Sequence, residues 1–243
     1  DAWPPQNTGQ ENLYLASDGK LFLDEKNNLT GMDKRKGNEF DEYTSDPAHP
    51  VPYTQDVHFR RTREYMTDDQ RFASRRTDVL TYETDILENE VTLAGPVIAD
   101  LMTSISTTDA DFVVKLIDVF PDDFNYPENE KGNDKDYPMG GYEMLVRAEI
   151  MRGKFRNSFE KPEPFVPGKI TEVKWELPDV AHTFLKGHRI MVQIQSSWFP
   201  LVDRNPQKFM DIYTADDSDF QKSDIRIYHD AEHPSKIILP VLK

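Results

Sequence analysis

Cysteine is absent from all 243 residues. Disulfides, thiol nucleophiles and cysteine-ligated zinc are therefore excluded. Basic residues are scarce beside acidic ones: 29 Lys and Arg stand against 44 Asp and Glu, a formal charge of −15. That balance repels nucleic acid and anionic membranes, so neither is expected as a partner, and it favours solubility. No run approaches the roughly 18 apolar residues of a membrane span, and no basic stretch leads into an apolar one as in a signal peptide. The chain opens Asp1-Ala2-Trp3 without an initiator methionine, as expected of a chain processed or cut from something longer.

Only 11 glycines occur, and none opens a Gly-x-Ser-x-Gly elbow, the turn that exposes a serine nucleophile. The six histidines (His49, His58, His182, His188, His229 and His233) have acidic neighbours, but in so acidic a chain that proximity defines no triad. His182 and His188 flank the turn Lys186-Gly187, and His229 and His233 are four apart near a strand end. Both pairs read as surface or turn histidines, because four-residue spacing suits zinc on a helix and not here. Asp109, Asp111 and the acidic stretch 122–136 carry the hard oxygens calcium prefers, without the alternating ligands and glycine of a calcium loop. No catalytic residue, cofactor or metal is assigned.

What is present is a series of strands. Apolar fraction is low at 37%, but 11% of residues are aromatic, which fits long polar loops around a compact core better than disorder. At this length roughly 70–75% of the unfolded surface can be buried. Two short apolar runs across residues 12–23 flank Asp18-Gly19, a pair that tolerates positive φ and predicts a hairpin. Strands are expected near 79–84, 90–94, 97–106, 111–119, 142–151, 171–177, 189–196, 209–213, 225–229 and 236–242. Val173, Trp175 and Leu177 share one face, as do Ile190, Val192 and Ile194. Between them Glu172, Lys174, Glu176, Gln193 and Gln195 are expected to meet water or a neighbouring domain. Trp175 is expected in the core, while Trp198-Phe199-Pro200, just past a strand, is expected to be exposed or docked. Lys115 and Asp118, on an otherwise apolar strand, read as a structural ion pair. Only 97–102 and 206–212 offer a helical alternative. The sum is one all-β domain, a jelly-roll β-sandwich of galactose-binding-domain-like type, with long insertions at 31–75 and 121–140.

Several segments resemble a known family in the correct order along nearly the whole chain. Tyr43-Thr44-Ser45-Asp46-Pro47-Ala48-His49-Pro50-Val51-Pro52 resembles the opening of the third domain of the α-amino acid ester hydrolases and glutaryl cephalosporanic acid acylases. Asp69-Gln70-Arg71, Arg76-Thr77-Asp78-Val79-Leu80 and the run from Asp109 to Val119 follow. Gly187-His188-Arg189, the run from Gln195 to Pro200, and Asp203-Arg204-Asn205-Pro206-Gln207 close the series. The wider group includes cocaine esterase and the X-prolyl dipeptidyl-peptidases.

The resemblance implies a non-catalytic C-terminal domain of a serine ester or amide hydrolase, with the α/β-hydrolase and cap domains elsewhere. It implies the hydrolase domain of the same parent chain as partner, a periplasmic or secreted location, and a face that self-associates when bare. The insertion from His58 to Arg76 is then the expected contact. Phe59, Tyr65 and Met66 would wall an apolar pocket, and Arg60, Arg61, Arg63 and Arg71 would dock. Trp198, Phe199, Asp203 and Arg204 form a second expected docking edge. A free-standing carbohydrate-binding jelly roll is the alternative, with Trp3, Trp175 and Trp198 as its stacking residues.

Overall fold

The computed structural model describes residues 2–24, 39–124, 126 and 138–243. Positions 125 and 127–136 of the acidic stretch lie outside them, as does Asn28-Leu29-Thr30, which reads as a glycosylation sequon. Eleven strands are found among the described residues: β1 (Thr8–Ala16), β2 (Lys20–Asp24), β3 (Phe40–Ser45), β4 (Leu80–Glu83), β5 (Val91–Ile105), β6 (Asp111–Val119), β7 (Glu143–Arg152), β8 (Thr171–Phe184), β9 (Arg189–Gln195), β10 (Ser223–Tyr228) and β11 (Lys236–Leu242).

Local chemistry explains most of these elements. At the β1–β2 turn Asp18 and Gly19 take φ of 61° and 66°, the conformation an Asp-Gly pair tolerates. A Cβ on Gly19 would also stand 2.9 Å from the Thr81 carbonyl. The two strands expected at 90–94 and 97–106 are one strand, β5. Its register against β8 shifts between Gly95 and Val97, where Gly95 takes a φ of 134° and Pro96 brings no N–H donor. Period-two burial along β8 is clear: Val173, Trp175 and Leu177 are buried while Glu172, Lys174 and Glu176 are exposed.

The strands join into one continuous mixed sheet in the order β3-β10-β5-β11-β1-β2-β4-β9-β6-β7, with β8 paired to β5. This differs from two separately bonded sheets. The link is the lone parallel bridge Lys20↔Glu83 between β2 and β4, which ties the two halves by backbone. Side chains from both halves, such as Leu13, Leu101, Phe112, Trp175, Val192 and Leu239, enter one core cluster, so the sheet folds over on itself. Two of its edge strands, β7 at one end and β8 branching from β5, lie side by side without ladder pairing, and β3 forms the other end.

Other expectations fail locally. Residues 209–213 form no strand and 206–212 no helix; Ile212–Thr214 makes a single 3-10 turn, started by Asp211 accepting from Tyr213 N. The 97–102 alternative is strand. Within the expected insertion 31–75 lie β3, which pairs with β10, a 3-10 turn at Glu64–Met66 and the short helix α1 (Arg71–Ser74). Gln193 and Gln195 are fully buried, because residues 51–79 cover their face of the sheet. For the same reason β6 is buried on both faces.

Gly153 sits where this packing is tightest. A Cβ there would meet the Phe165 ring at 2.6 Å and the Ala110 carbonyl at 2.7 Å, the carbonyl that already accepts the Gly153 N–H at 2.8 Å. Gly153→Ala is expected to destabilise the chain by about 1–3 kcal/mol through overpacking. A urea-unfolding midpoint equal to wild type would show that the Phe165 loop yields instead.

Candidate docking groove and its buried support

The groove starts from the segment that covers the outer face of β6 and β9. Val51 and Tyr53 bracket Phe199: the Phe199 N–H donates to the Val51 carbonyl and the Tyr53 N–H to the Phe199 carbonyl, both at 2.9 Å. Thr54 Oγ1 donates to Asp68 and closes the base of the intervening excursion. Within it, Tyr65 packs between Tyr53 (centroids 5.5 Å) and the edge of Trp198 (5.8 Å). Tyr53, Trp198 and Val113 are buried as a small outer core. Beside this cluster runs an open groove of about 380 Å³, walled by Arg61, Tyr65, Met66, Trp198, Leu201 and Val202 against residues 145–150 of β7.

The structure thus brings together four of the residues marked in the sequence: Arg61, Tyr65, Met66 and Trp198. Phe59 and Arg60 stand outside the groove on a fully exposed tip. Arg71 is turned inward and pairs with Asp69 through Nε at 2.6 Å, which raises the pKa of its guanidinium. Arg204 is also engaged locally. It donates to the Pro47 carbonyl at 2.8 Å and lies over the rings of Phe220 (4.8 Å) and Phe199 (5.7 Å). Asp203 is exposed, with its carbonyl accepting from Arg152. Of the Trp198-Phe199 pair expected to be exposed or docked, the tryptophan is buried and only the phenylalanine is exposed.

Beneath the groove lies a polar cluster that the sequence hid. Lys115, fully buried, donates to Gln70 Oε1 at 2.9 Å, and its ammonium faces the rings of Phe72 (5.6 Å) and Trp198 (5.8 Å). The Gln70 N–H donates to the Glu143 carbonyl at 3.0 Å. Glu143 in turn accepts from Ser74 Oγ at 3.0 Å and Gln193 Nε2 at 3.2 Å. Burial lowers the Lys115 pKa to about 7, against the opposing pull of Glu143. Burial, with Asp69 and Glu83 nearby, pushes Glu143 up to about 7, against Ser74 and Arg71. The expected Lys115–Asp118 ion pair is not made: the two project to opposite faces of β6.

Asp118 instead accepts from His188 Nδ1 at 2.7 Å and His182 Nε2 at 2.9 Å. His188 is buried against Phe120, and His229 is buried too, so neither is the surface histidine expected. Asp109 and Asp111 also serve the fold. Asn205 Nδ2 donates to both, at 3.2 and 2.8 Å, and the Arg152 fork closes on Asp111 at 3.0 and 3.1 Å. Burial and the neighbouring Asp111 push Asp109 up to about 6. Among the described residues, no trio of His, Asp or Glu is arranged to hold a metal.

Comparison with known proteins places this architecture. The family profile of the X-Pro dipeptidyl-peptidase C-terminal non-catalytic domain matches residues 1–238. The chain belongs to that family. Among relatives of this non-catalytic domain, cocaine esterase from Rhodococcus sp. (strain MB1 Bresler) is 32% identical over 241 residues, 99% of this chain and 39% of the esterase. The crystal structure of an aminopeptidase from a marine sediment archaeon of the Thaumarchaeota is 42% identical with a TM-score of 0.87. It covers 100% of this chain and 38% of its own. An α-amino acid ester hydrolase structure is 40% identical with a TM-score of 0.85, over 99% of this chain and 38% of its own. The chain therefore spans under two-fifths of the length of the relatives it matches.

The buried cluster makes a signed prediction. A carboxyl whose pKa is higher folded than unfolded contributes stability below its unfolded value, here 4.5, and loses it as pH rises through the folded value of about 7. Glu143→Gln removes that loss. Relative to wild type, its unfolding free energy is expected to rise by roughly 1–3 kcal/mol between pH 4.5 and pH 7.5. Urea titrations at several pH values measure the difference; a flat difference would mean that Glu143 ionises freely in the folded chain.

Proposed function

We propose that this chain is the accessory domain of a serine ester or amide hydrolase, packing on the α/β-hydrolase portion of the same parent protein. The observation that carries this reading is the match along the whole chain to a non-catalytic domain family, together with the small fraction of each relative that the match occupies. The reaction would be acyl transfer to water through a serine acyl-enzyme, with nucleophile, histidine and carboxylate on the other portion. Relatives described as an ester hydrolase and an aminopeptidase make α-amino esters or amides the proposed substrates. The fold is read as a jelly roll of the galactose-binding type. Its support is the single core shared by both halves of the sheet and the side-by-side approach of β7 and β8.

The groove is the proposed meeting face. It combines exposed apolar surface at Met66 with the half-buried Tyr65, Leu201 and Val202, the mixture found where a face is covered in an assembly. No observation favours the sugar-binding alternative: Trp175 and Trp198 are buried, leaving only Trp3 exposed.

Sequencing the coding region upstream of Asp1 tests the assignment. A hydrolase domain with a Gly-x-Ser-x-Gly elbow is expected, and a start codon directly upstream would refute it. In the complete enzyme, Tyr65→Ala is expected to lower kcat/KM about tenfold, equivalent to roughly 1.4 kcal/mol of transition-state stabilisation. Unchanged kinetics for Tyr65→Ala would remove the groove from the substrate pocket.

A further inference from the structure

The excursion between Tyr53 and Tyr65 ends in a tip whose chemistry contrasts with the rest of the chain. Val57 and Phe59 are 101% and 110% exposed, as open as in an extended peptide. Around them stand His58, Arg60, Arg61 and Arg63. Two acidic residues share the excursion, the exposed Asp56 and Glu64, and Glu64 is engaged by His58 Nε2 at 3.4 Å. The guanidiniums of Arg60, Arg61 and Arg63 form no hydrogen bond or ion pair among the described residues. Three uncompensated guanidiniums on one short loop are notable in a chain carrying −15 overall. The loop is also held firmly at its base, by the Thr54–Asp68 bond and by Tyr65 against Trp198. A fixed base projects an aromatic side chain and a ring of cations away from the body.

We infer that this tip is a plug: Phe59 enters an apolar recess on the catalytic portion of the parent protein, and Arg60, Arg61 and Arg63 pair with carboxylates around its rim. The inference rests on the accessory-domain reading and adds to it the chemistry of the partner surface. Two observations select this occupant. The tip is continuous with the groove, since Arg61 lines both. The matched relatives carry roughly three-fifths of their length outside the region this chain covers, which supplies the surface to be met. Arginine suits the rim because its planar fork binds carboxylates in pairs and is weakly hydrated. A buried aromatic inside a polar ring is the common arrangement of an energetic anchor. A nucleic acid or an anionic lipid surface would also attract the cations, but the net charge of the chain opposes both.

Amide hydrogen exchange on the complete gene product, compared with the 243-residue chain, tests the plug. Exchange across residues 57–63 is expected to be at least tenfold slower in the complete protein. Phe59→Ala and the triple change Arg60→Gln, Arg61→Gln, Arg63→Gln are each expected to abolish that difference. Both act on fully exposed groups, so unchanged melting of the 243-residue chain checks that folding is intact. A photoreactive benzoylphenylalanine at position 59 is expected to cross-link to the catalytic portion, at an apolar residue with Asp or Glu nearby. Equal exchange in the two proteins would overturn the plug, as would protection indifferent to the arginine changes or cross-links only to a second copy. If residues 145–150 are protected while 57–63 are not, the plug fails and the accessory reading stands. If the gene encodes no hydrolase portion, the accessory reading itself fails.

Discussion

The outer face of β6 and β9 must be covered, and much of the molecule follows from how that is done. A strand that packs a core on one side and meets water on the other can alternate apolar and polar residues freely. Here the water side is roofed by residues 51–79, so every polar group beneath needs a protein partner. Lys115 finds Gln70, Gln193 finds Glu143, and Gln195 Nε2 donates to the Ser197 carbonyl at 2.6 Å. Of the roof residues, Gln70 thus bonds to Lys115 and Ser74 to Glu143, beside the packing of Tyr53, Trp198 and Val113. A buried ammonium with one hydrogen-bonding partner is an expensive way to hold a loop. Its consequence is a unique seating, because moving the roof would strand Lys115 among the rings of Phe72 and Trp198.

The strands could be read from the residues where one face meets water. Val173, Trp175 and Leu177 alternate with charged neighbours, and the structure keeps that alternation. Asp18-Gly19 announced its turn because few other pairs accept positive φ twice in succession. The roof could not be read in this way. Gln193 and Gln195 have the polarity of a solvent face, and nothing in their own segment tells that residues more than a hundred positions earlier lie over them. The strand expected at 209–213 failed for a related reason: its short apolar pattern is met by a turn capped by Asp211. Two strands were expected where Gly95-Pro96 bends one, since the same residues mark both a turn and a bulge.

The candidate site was partly legible. Tyr65, Met66, Arg61 and Trp198 stood out by type and by family resemblance, and they converge on one groove although more than 130 residues separate Tyr65 from Trp198. Arg71 and Arg204 stood out for the same reasons, yet their charges are spent inside the chain on Asp69 and on the Pro47 carbonyl. Sequence shows that an arginine is present but not whether a local acceptor has already claimed it. The histidines were misread in the opposite direction. His188 and His182 looked incidental, and both hold Asp118, whose position on an apolar strand was the available signal that a buried carboxylate needed donors.

Two edge strands of the sheet carry a different consequence. A strand with a bare edge is a template on which other chains can add strands, and long flat edges invite stacking into fibres. Because β7 and β8 lie against each other without bonding, each crowds the approach to the other's free backbone. Glu149 adds to this by accepting the Ile150 N–H at 2.8 Å, which occupies a donor on the β7 edge. A module shielded at these two edges is less prone to stick to its neighbours through them. Encounters there are left to side chains, whose shape and charge choose a partner far more narrowly than backbone hydrogen bonds do.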